Sequence, residues 1–338
     1  MTSIALKHAV LKGEFRLDVD TEIPGSGVTG VFGESGSGKT TLLRCIAGLE
    51  GRLPGSAPVH ERGIGYVHQQ PTLFGHLSVR GNIQYGMRRN PGAAQSIEEV
   101  ARRFEVDTLL DRAPGTLSGG EAQRVSIVRA LCRNPKMILM DEPLSALDER
   151  RRGEVLPYLE RLHMDSKVPI VYVSHNIDEI CRLSDHLLVL DSGRLAASGE
   201  LQQVLSRIDL PQLSGRNAGA VIEAEQLRYD EEFDLTAFGF SGGELWVTGR
   251  HEPGPARLRV RASDISLSRE PASTSTILNI LPAVIDATAA ETTATELVRL
   301  RLGDDLLVAR ITRRSLQNLE LVPGANVYVQ IKSVTVRR

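Results

Sequence analysis

The stretch Val31-Phe-Gly-Glu-Ser-Gly-Ser-Gly-Lys-Thr-Thr-Leu-Leu43 decides the fold of the first part of this chain. Its spacing, Gly33, four residues and then Gly38-Lys39-Thr40, is typical of a P-loop between a strand and a helix. The glycines let successive backbone N–H groups converge on phosphate oxygens, and the helix dipole adds positive charge. We therefore predict a nucleotide cradle formed by Gly33, Glu34, Ser35, Gly36, Ser37, Gly38, Lys39, Thr40 and Thr41.

The residues around this loop have the patterns that a P-loop needs. The apolar run "GVTGVFG" predicts a buried strand, and "TTLLRCIAGL" predicts a helix that ends at Gly48. In this context Lys39 is expected to reach the β- and γ-phosphates of a nucleotide, and the Thr40 hydroxyl to hold Mg²⁺. The alternative, a glycine-rich turn with a solvated lysine, does not explain the flanking strand and helix.

Composition limits the classes of protein that this chain can be. Its 338 residues favour two domains, and 40 basic against 42 acidic residues give a net charge of -2, so we expect no nucleic-acid partner. The sequence shows neither an apolar run of about 18–20 residues nor a signal-peptide core, which predicts a cytosolic chain. Cys45, Cys132 and Cys181 lie in apolar periodic stretches and are predicted to be small buried hydrophobes.

The pattern along the chain changes from α/β to β. Buried strands are predicted at "GVTGVFG", "MILMD" and "PIVYVSH", and a hairpin at "HLLVLDSGRLAASG". Residues 78–130 have a mostly helical pattern. After about Gly215 the segments are short, alternating and rich in Val, Ile, Leu and Thr, which predicts a small all-β barrel.

An acidic pair follows one of the predicted strands. In "MILMDEP", Asp141 and Glu142 come directly after four apolar residues, as expected at the carboxyl end of a buried strand beside the P-loop. There Asp141 can hold Mg²⁺ while Glu142 polarises the attacking water. Taken alone, such a pair is more often a helix cap, and the P-loop in the same domain favours the catalytic interpretation.

A second anion cradle opens another helix at "LSGGE", where Ser118, Gly119 and Gly120 offer a hydroxyl and bare backbone. One nucleotide does not need two cradles. With this motif the chain resembles the ABC-type ATPases, in which the P-loop of one subunit and the signature of its partner enclose each ATP. The resemblance implies a P-loop domain with a helical subdomain, and a homodimer.

Further motifs of that family follow in order. "GYVHQQPTLF" resembles the Q-loop, which implies that Gln69 reaches Mg²⁺ and the attacking water. "SALD" resembles the D-loop, and "YVSHN" places His175 as the switch histidine, although a lone histidine after a strand is usually structural. Between the P-loop helix and the Q-loop the chain has only "EGRLPGSAPVHER", shorter than in the family. Phe15 is the aromatic candidate for stacking on adenine, with a core position as the alternative.

The end of the chain narrows the kind of ABC protein. "RVRASDISL" resembles the opening of the accessory β-domain of importer ATPases, and residues 275–336 resemble the molybdate-binding, Mop-like domain of molybdate importers and storage proteins. The match implies oxyanion contacts from Thr276, Asn279, Lys332 and Ser333, although such residues on strands are often merely exposed. Leu278 stands where family members often carry arginine.

These resemblances imply an ATP-binding domain over residues 1–215, a linker and the start of the β-domain over 216–262, and the Mop-like domain over 263–338. They imply an ATPase that drives molybdate import, with tungstate as a second anion and with regulation by the cytosolic oxyanion. Implied partners are two membrane permease subunits and, indirectly, a periplasmic binding protein, which places the chain peripherally at the cytoplasmic face of the inner membrane. Alternatives are an importer ATPase for sulfate, ferric iron or a polyamine, and a soluble ABC ATPase.

Overall fold

A computed structural model describes residues 3–51, 59–87, 96–165 and 168–337. The chain divides into two compact units, Met1–Ser198 and Gly199–Arg338. We expected the first boundary at residue 215 and a linker over 216–262, whereas the structure divides the chain earlier and forms strands in that segment. The shortened segment after the P-loop helix falls partly on residues 52–58, which lie outside the described residues.

The first unit is built on an eight-stranded sheet in the order β1-β2-β8-β7-β3-β6-β5-β4. Its central strands β7, β3, β6, β5 and β4 run parallel, and β1 and β2 form an antiparallel hairpin at one edge. The strands of this sheet are β1 (Ser3–Lys12), β2 (Phe15–Pro24), β3 (Val28–Phe32), β4 (Ile64–Val67), β5 (Met137–Asp141), β6 (Ile170–Val173), β7 (His186–Asp191) and β8 (Arg194–Glu200).

The central strands are continuous apolar runs because both faces of a parallel sheet are covered. Every residue of β3 and of β5 is buried. The predicted strands "GVTGVFG", "MILMD" and "PIVYVSH" are confirmed, as is the hairpin of β7 and β8. Asp141 ends β5, and β6 lies between β5 and the P-loop strand β3. The carboxyl ends of all three strands still meet at one edge of the sheet.

Helices of the first unit connect the parallel strands. Gly48 ends the P-loop helix in the left-handed conformation, with φ 75°, as predicted. Among the described residues, three α-helices lie between β4 and β5, which confirms the helical subdomain. The helices are α1 (Lys39–Ala47), α2 (Val79–Met87), α3 (Ile97–Arg103), α4 (Gly119–Leu131), α5 (Glu149–Asp165) and α6 (Ile177–Leu183).

The second unit is almost entirely β, as predicted. It contains two five-stranded sheets, β11-β10-β9-β12-β18 and β13-β17-β14-β15-β16. Its elements are α7 (Leu201–Leu205), β9 (Gly219–Asp230), β10 (Leu235–Phe240), β11 (Gly243–Thr248), β12 (Pro255–Arg261), β13 (Ile265–Ser268), β14 (Asn279–Ala290), β15 (Thr295–Leu302), β16 (Asp305–Thr312), α8 (Arg313–Asn318), β17 (Asn326–Ile331) and β18 (Thr335–Arg337).

One hydrophobic core joins the two sheets of this unit. Alternate residues of β12, such as Leu258 and Val260, point into it together with Val298 and Val329 of the other sheet. The last strand, β18, also returns to pair with β12. Residues 216–262 and 263–338 therefore share a core, which is why they form one unit rather than a linker and a separate domain.

Two further observations concern the whole of the described chain. The prediction of buried cysteines is confirmed, since Cys45, Cys132 and Cys181 are each at most 2% exposed. Among the described residues, we find no helix with the length and apolar character needed to cross a membrane.

Candidate nucleotide-binding site

The P-loop wraps around the ammonium group of Lys39. The Lys39 side chain is 5% exposed, and its ammonium group donates hydrogen bonds to the carbonyl oxygens of Gly33 at 2.8 Å and Glu34 at 2.7 Å. Gly36 and Gly38 have φ of 82° and 102°, a region that glycine enters without strain. A Cβ on Gly33 would lie 2.4 Å from the carbonyl oxygen of Leu190. The loop therefore needs its glycines both for its backbone conformation and for close packing.

Burial and nearby carboxylates act in opposite directions on the charge of Lys39. Burial lowers the pKa of its ammonium group, and the negative charges of Glu142 and Asp141 raise it. The Glu142 carboxylate lies 4.0 Å from the ammonium nitrogen. A buried cation faces acidic groups across a narrow space, which is an arrangement suited to a phosphate chain that carries its own metal ion.

Asp141 is held by two hydroxyl groups at the end of β5. The Thr40 hydroxyl donates to Oδ1 at 2.9 Å, and the Tyr66 hydroxyl donates to Oδ2 at 3.1 Å. The structure thus brings together the predicted metal ligands Thr40 and Asp141. Tyr66 was not predicted, and the signal that could have found it is its position near the end of β4, the strand beside β5.

Glu142 lies beside His175 and has an unusual backbone. Its φ is 45°, a left-handed conformation that costs a non-glycine residue about 1–3 kcal/mol and is concentrated at functional sites. Its N–H donates to the Val173 carbonyl oxygen at 3.1 Å, which ties it to the adjacent strand β6. Its Oε2 lies 3.0 Å from Nδ1 of His175, the next-but-one residue after β6. The two predicted catalytic groups are therefore in direct contact.

A cleft of about 440 Å³ opens over these groups. The edge hairpin of β1 and β2 contributes Lys12 and Phe15 to its wall, so Phe15 is at the cleft rather than in the core alone. The Phe15 ring lies 2.8 Å from where a Gly38 Cβ would stand. Lys12 is a wall residue that the sequence did not indicate. The lining residues are Lys12, Phe15, Ser35, Gly36, Gly38, Lys39, Thr40, Thr41, Gln69 and Glu142.

The donors around this cleft fit Mg²⁺ and a phosphate chain. A hydroxyl from Thr40, a carboxylate from Asp141 and an amide from Gln69 supply the oxygen ligands that Mg²⁺ prefers. The Ser37 hydroxyl is buried, with no hydrogen-bond partner among the described residues. No group of three or more His, Cys, Asp or Glu side chains within the described part of the chain could hold a metal. The mixed donor set is nevertheless suited to an ion that substrate phosphates help to bind.

The signature segment caps helix α4 and does not join the cleft. The Ser118 hydroxyl accepts from the Glu121 N–H at 3.3 Å, and the Ser118 N–H donates to the Glu121 carboxylate at 2.7 Å. These hydrogen bonds hold the pKa of the Glu121 carboxyl below its usual range, and the bond from the Ser118 backbone has the larger effect. Ser118 is exposed, whereas Gly120 is buried. Of the described residues that line the cleft, none is Ser118, Gly119 or Gly120.

The residues predicted for an oxyanion have different surroundings in the second unit. The buried amide of Asn279 accepts from the Trp246 N–H at 2.7 Å and donates to the Trp246 carbonyl oxygen at 2.9 Å. This amide therefore joins β14 to β11. Thr276, Lys332 and Ser333 are exposed.

The strand register relates these exposed residues to one another. Asn279 pairs with Ile331 in an antiparallel register, so Thr276, shortly before Asn279, and Lys332 and Ser333, directly after Ile331, lie at the same end of this pairing. The Lys332 backbone N–H donates to the Asp264 carbonyl oxygen at 2.8 Å, while the residue as a whole is exposed. Leu278 is 63% exposed.

Comparison with known proteins gives consistent matches over both units. The family described as "ABC transporter" matches residues 17–145, and the TOBE domain family matches residues 275–337. A molybdenum import ATP-binding protein of Thiobacillus denitrificans is 49% identical over 95% of this chain and 94% of its own length. Relatives with the same description are 48% identical in Azotobacter vinelandii, with 95% of each chain covered, and 44% identical in Pseudomonas fluorescens, with 99% of each covered. The predicted α/β P-loop domain followed by a small all-β, OB-like domain is thereby confirmed.

Proposed function

The chain belongs to the family of molybdenum import ATP-binding proteins, and from this we propose that it hydrolyses ATP to drive molybdate import through a separate membrane permease. The observation that carries the proposal is the convergence of Lys39, Thr40, Asp141, Glu142 and His175 at one edge of the sheet. These groups come from three different strand ends, and Lys39, Thr40 and Glu142 line a single cleft, while Asp141 contacts Thr40 and His175 contacts Glu142.

In the proposed reaction the phosphates of ATP lie in the P-loop. The Lys39 ammonium then exchanges its backbone carbonyl partners for the β- and γ-phosphates, and the Ser37 hydroxyl gains a partner. Thr40, Asp141 and Gln69 would hold Mg²⁺. When bound, that ion neutralises the negative charge that develops during phosphoryl transfer.

Glu142 is the proposed general base. Its Oε1 faces Lys39 while its Oε2 is held by His175, so the carboxylate has a fixed orientation at the end of the cleft. A water molecule between Glu142 and the γ-phosphate would give its proton to this carboxylate. His175 is 56% exposed, which leaves it accessible to the γ-phosphate or to a second subunit.

We further propose that two copies of the chain form the active state. The exposed Ser118 and the N-terminus of α4 form a donor-rich surface outside the cleft of their own chain. A homodimer in which this surface closes on the partner's P-loop would complete both sites. The chain would then act as a peripheral protein at the cytoplasmic face of the inner membrane, with two permease subunits and, indirectly, a periplasmic binding protein.

The second unit is proposed to bind the cytosolic oxyanion, molybdate or tungstate, through the exposed Thr276, Lys332 and Ser333. Asn279 would contribute by fixing the adjacent strands rather than by a free amide, since its side chain is bonded to Trp246. Since both sheets share one core, the experiment must use the full chain. Calorimetry with molybdate, tungstate and sulfate, on the parental chain and on Lys332→Ala, tests this role, and no heat with the parental chain would refute it.

The transport function is tested with the chain reconstituted in vesicles with the permease that co-purifies with it. Molybdate uptake that requires ATP, and that is lost when the chain is omitted, is the expected result. Uptake of sulfate, ferric iron or a polyamine instead would support the alternative importers. ATPase activity with no permease associated would support a soluble ABC ATPase.

A further inference from the structure

The Tyr66 hydroxyl is a polar group at the nucleotide site to which the ATPase motifs assign no role. It donates to Oδ2 of Asp141 at 3.1 Å, while the Thr40 hydroxyl donates to Oδ1 at 2.9 Å. Each oxygen of the proposed magnesium ligand is therefore held by a different hydroxyl. With the Thr40 hydrogen bond to Oδ1 alone, the Asp141 carboxylate could still turn about that hydrogen bond and move Oδ2.

The position of Tyr66 follows from the sheet. Strands β4 and β5 are parallel, with Tyr66 paired to Leu139 and Val67 to Met140, so Asp141 comes one residue beyond the paired segment. The Tyr66 ring lies 4.5 Å from the His68 ring, centroid to centroid, and lines a second cleft of about 320 Å³. Packing on the ring side thus directs the hydroxyl toward the carboxylate.

The Tyr66 hydroxyl has one hydrogen to donate, and in the structure its acceptor is Oδ2 of Asp141. That single hydrogen bond is therefore directed at the proposed metal ligand.

We propose that Tyr66 is a positioning residue that orients the Asp141 carboxylate for Mg²⁺, an inference that rests on the proposed ATPase function. Groups that hydrogen-bond to metal ligands fix the direction of the ligand's lone pairs, and their loss typically weakens metal binding about 10- to 100-fold. The alternative is a structural role, in which the hydroxyl satisfies a buried carboxylate and the metal does not depend on it.

The test compares the parental chain with Tyr66→Phe, which removes one oxygen and keeps the ring against His68. Titration of Mn²⁺ by electron paramagnetic resonance, with a non-hydrolysable ATP analogue present, gives the metal affinity without any need for turnover. A fluorescent ATP analogue in EDTA gives the nucleotide affinity without metal. We expect Mn²⁺ affinity to fall about 10-fold, the lower end of the usual range, and metal-free nucleotide affinity to stay the same.

Tyr85→Phe is the matched control, because Tyr85 lines the same second cleft and this change leaves the bond between Tyr66 and Asp141 in place. Equal Mn²⁺ affinity in the parental chain and folded Tyr66→Phe would overturn the inference, as would an equal loss in Tyr85→Phe. A parental chain that binds no nucleotide would instead overturn the proposed function, and this inference with it. The two failures are therefore distinguishable.

Discussion

Replacing Glu142 by glutamine should separate ATP binding from hydrolysis. Glutamine has nearly the same shape, and its amide oxygen can keep the 3.0 Å contact that joins Glu142 to His175. What it removes is the ability to accept a proton from water. Loss of a general base costs about 10²- to 10⁴-fold in rate, which corresponds to about 2.7–5.5 kcal/mol in the activation free energy.

The structure predicts that ATP affinity survives this change. The Lys39 ammonium is held by the carbonyl oxygens of Gly33 and Glu34 at 2.8 Å and 2.7 Å, whereas Glu142 lies at 4.0 Å from it. Replacing Glu142 leaves Lys39 and the P-loop backbone, the groups proposed to hold the phosphates, in place. Bound ATP should therefore accumulate, and a dimer closed around it should be trapped.

The assay measures phosphate release at saturating MgATP, the dissociation constant of a fluorescent ATP analogue, and the dimer fraction by size-exclusion chromatography with ATP. Glu149→Gln, an exposed carboxylate at the start of α5, is the control and should behave as the parental chain. If Glu142→Gln released phosphate at the parental rate, the assignment of Glu142 as base would be refuted. A large loss of affinity with unchanged turnover per bound ATP would refute the separation of roles.

Three further predictions concern the same unit. Lys39→Ala should weaken ATP binding more than Glu142→Gln, since it removes the buried cation of the P-loop; titration with the fluorescent analogue measures this, and unchanged affinity would contradict a nucleotide cradle. Gly33→Ala places a Cβ 2.4 Å from the Leu190 carbonyl oxygen and should lower the free energy of unfolding by about 1–3 kcal/mol in urea denaturation, with Gly115→Ala as the control because nothing lies within 4 Å of its added Cβ. Burial, and then the Arg62 charge, lower the pKa of His8 below 6.5, so its contribution to stability is full above about pH 6.5 and is lost as the pH falls through the lower folded-state pKa. The melting temperature of His8→Gln should therefore fall less than that of the parental chain between pH 7.5 and 5, and parallel curves would contradict the prediction.

Local patterns carried the prediction of the nucleotide loop and the strands around it. The glycine spacing of residues 33–40 and the all-apolar run before Asp141 reflect short-range constraints, namely backbone reach around phosphate and burial on both faces of a parallel strand. Because such constraints act on consecutive residues, they can be recognised in the sequence. The edge hairpin of β1 and β2 alternates exposed and more buried residues, and Lys12, the last residue of β1, has the pattern of an ordinary exposed lysine, so it was not identified as a wall residue.

Which groups meet was decided by tertiary structure, because strand order depends on packing between segments far apart in the chain. The sequence pattern predicted that Asp141 lies beside the P-loop, where the Thr40 hydroxyl contacts it, but it did not indicate that β6 lies between β3 and β5 and brings His175 against Glu142. The contact of Tyr66 with Asp141 depends on β4 pairing with β5 across about 70 residues of intervening chain. The sequence by itself determined the motif of the loop and the class of fold, and it predicted which groups react. Only the tertiary structure decided which side chains these groups contact, through the pairing of distant strands and the core shared by two sheets. Those contacts depend on packing between segments that are far apart in the chain.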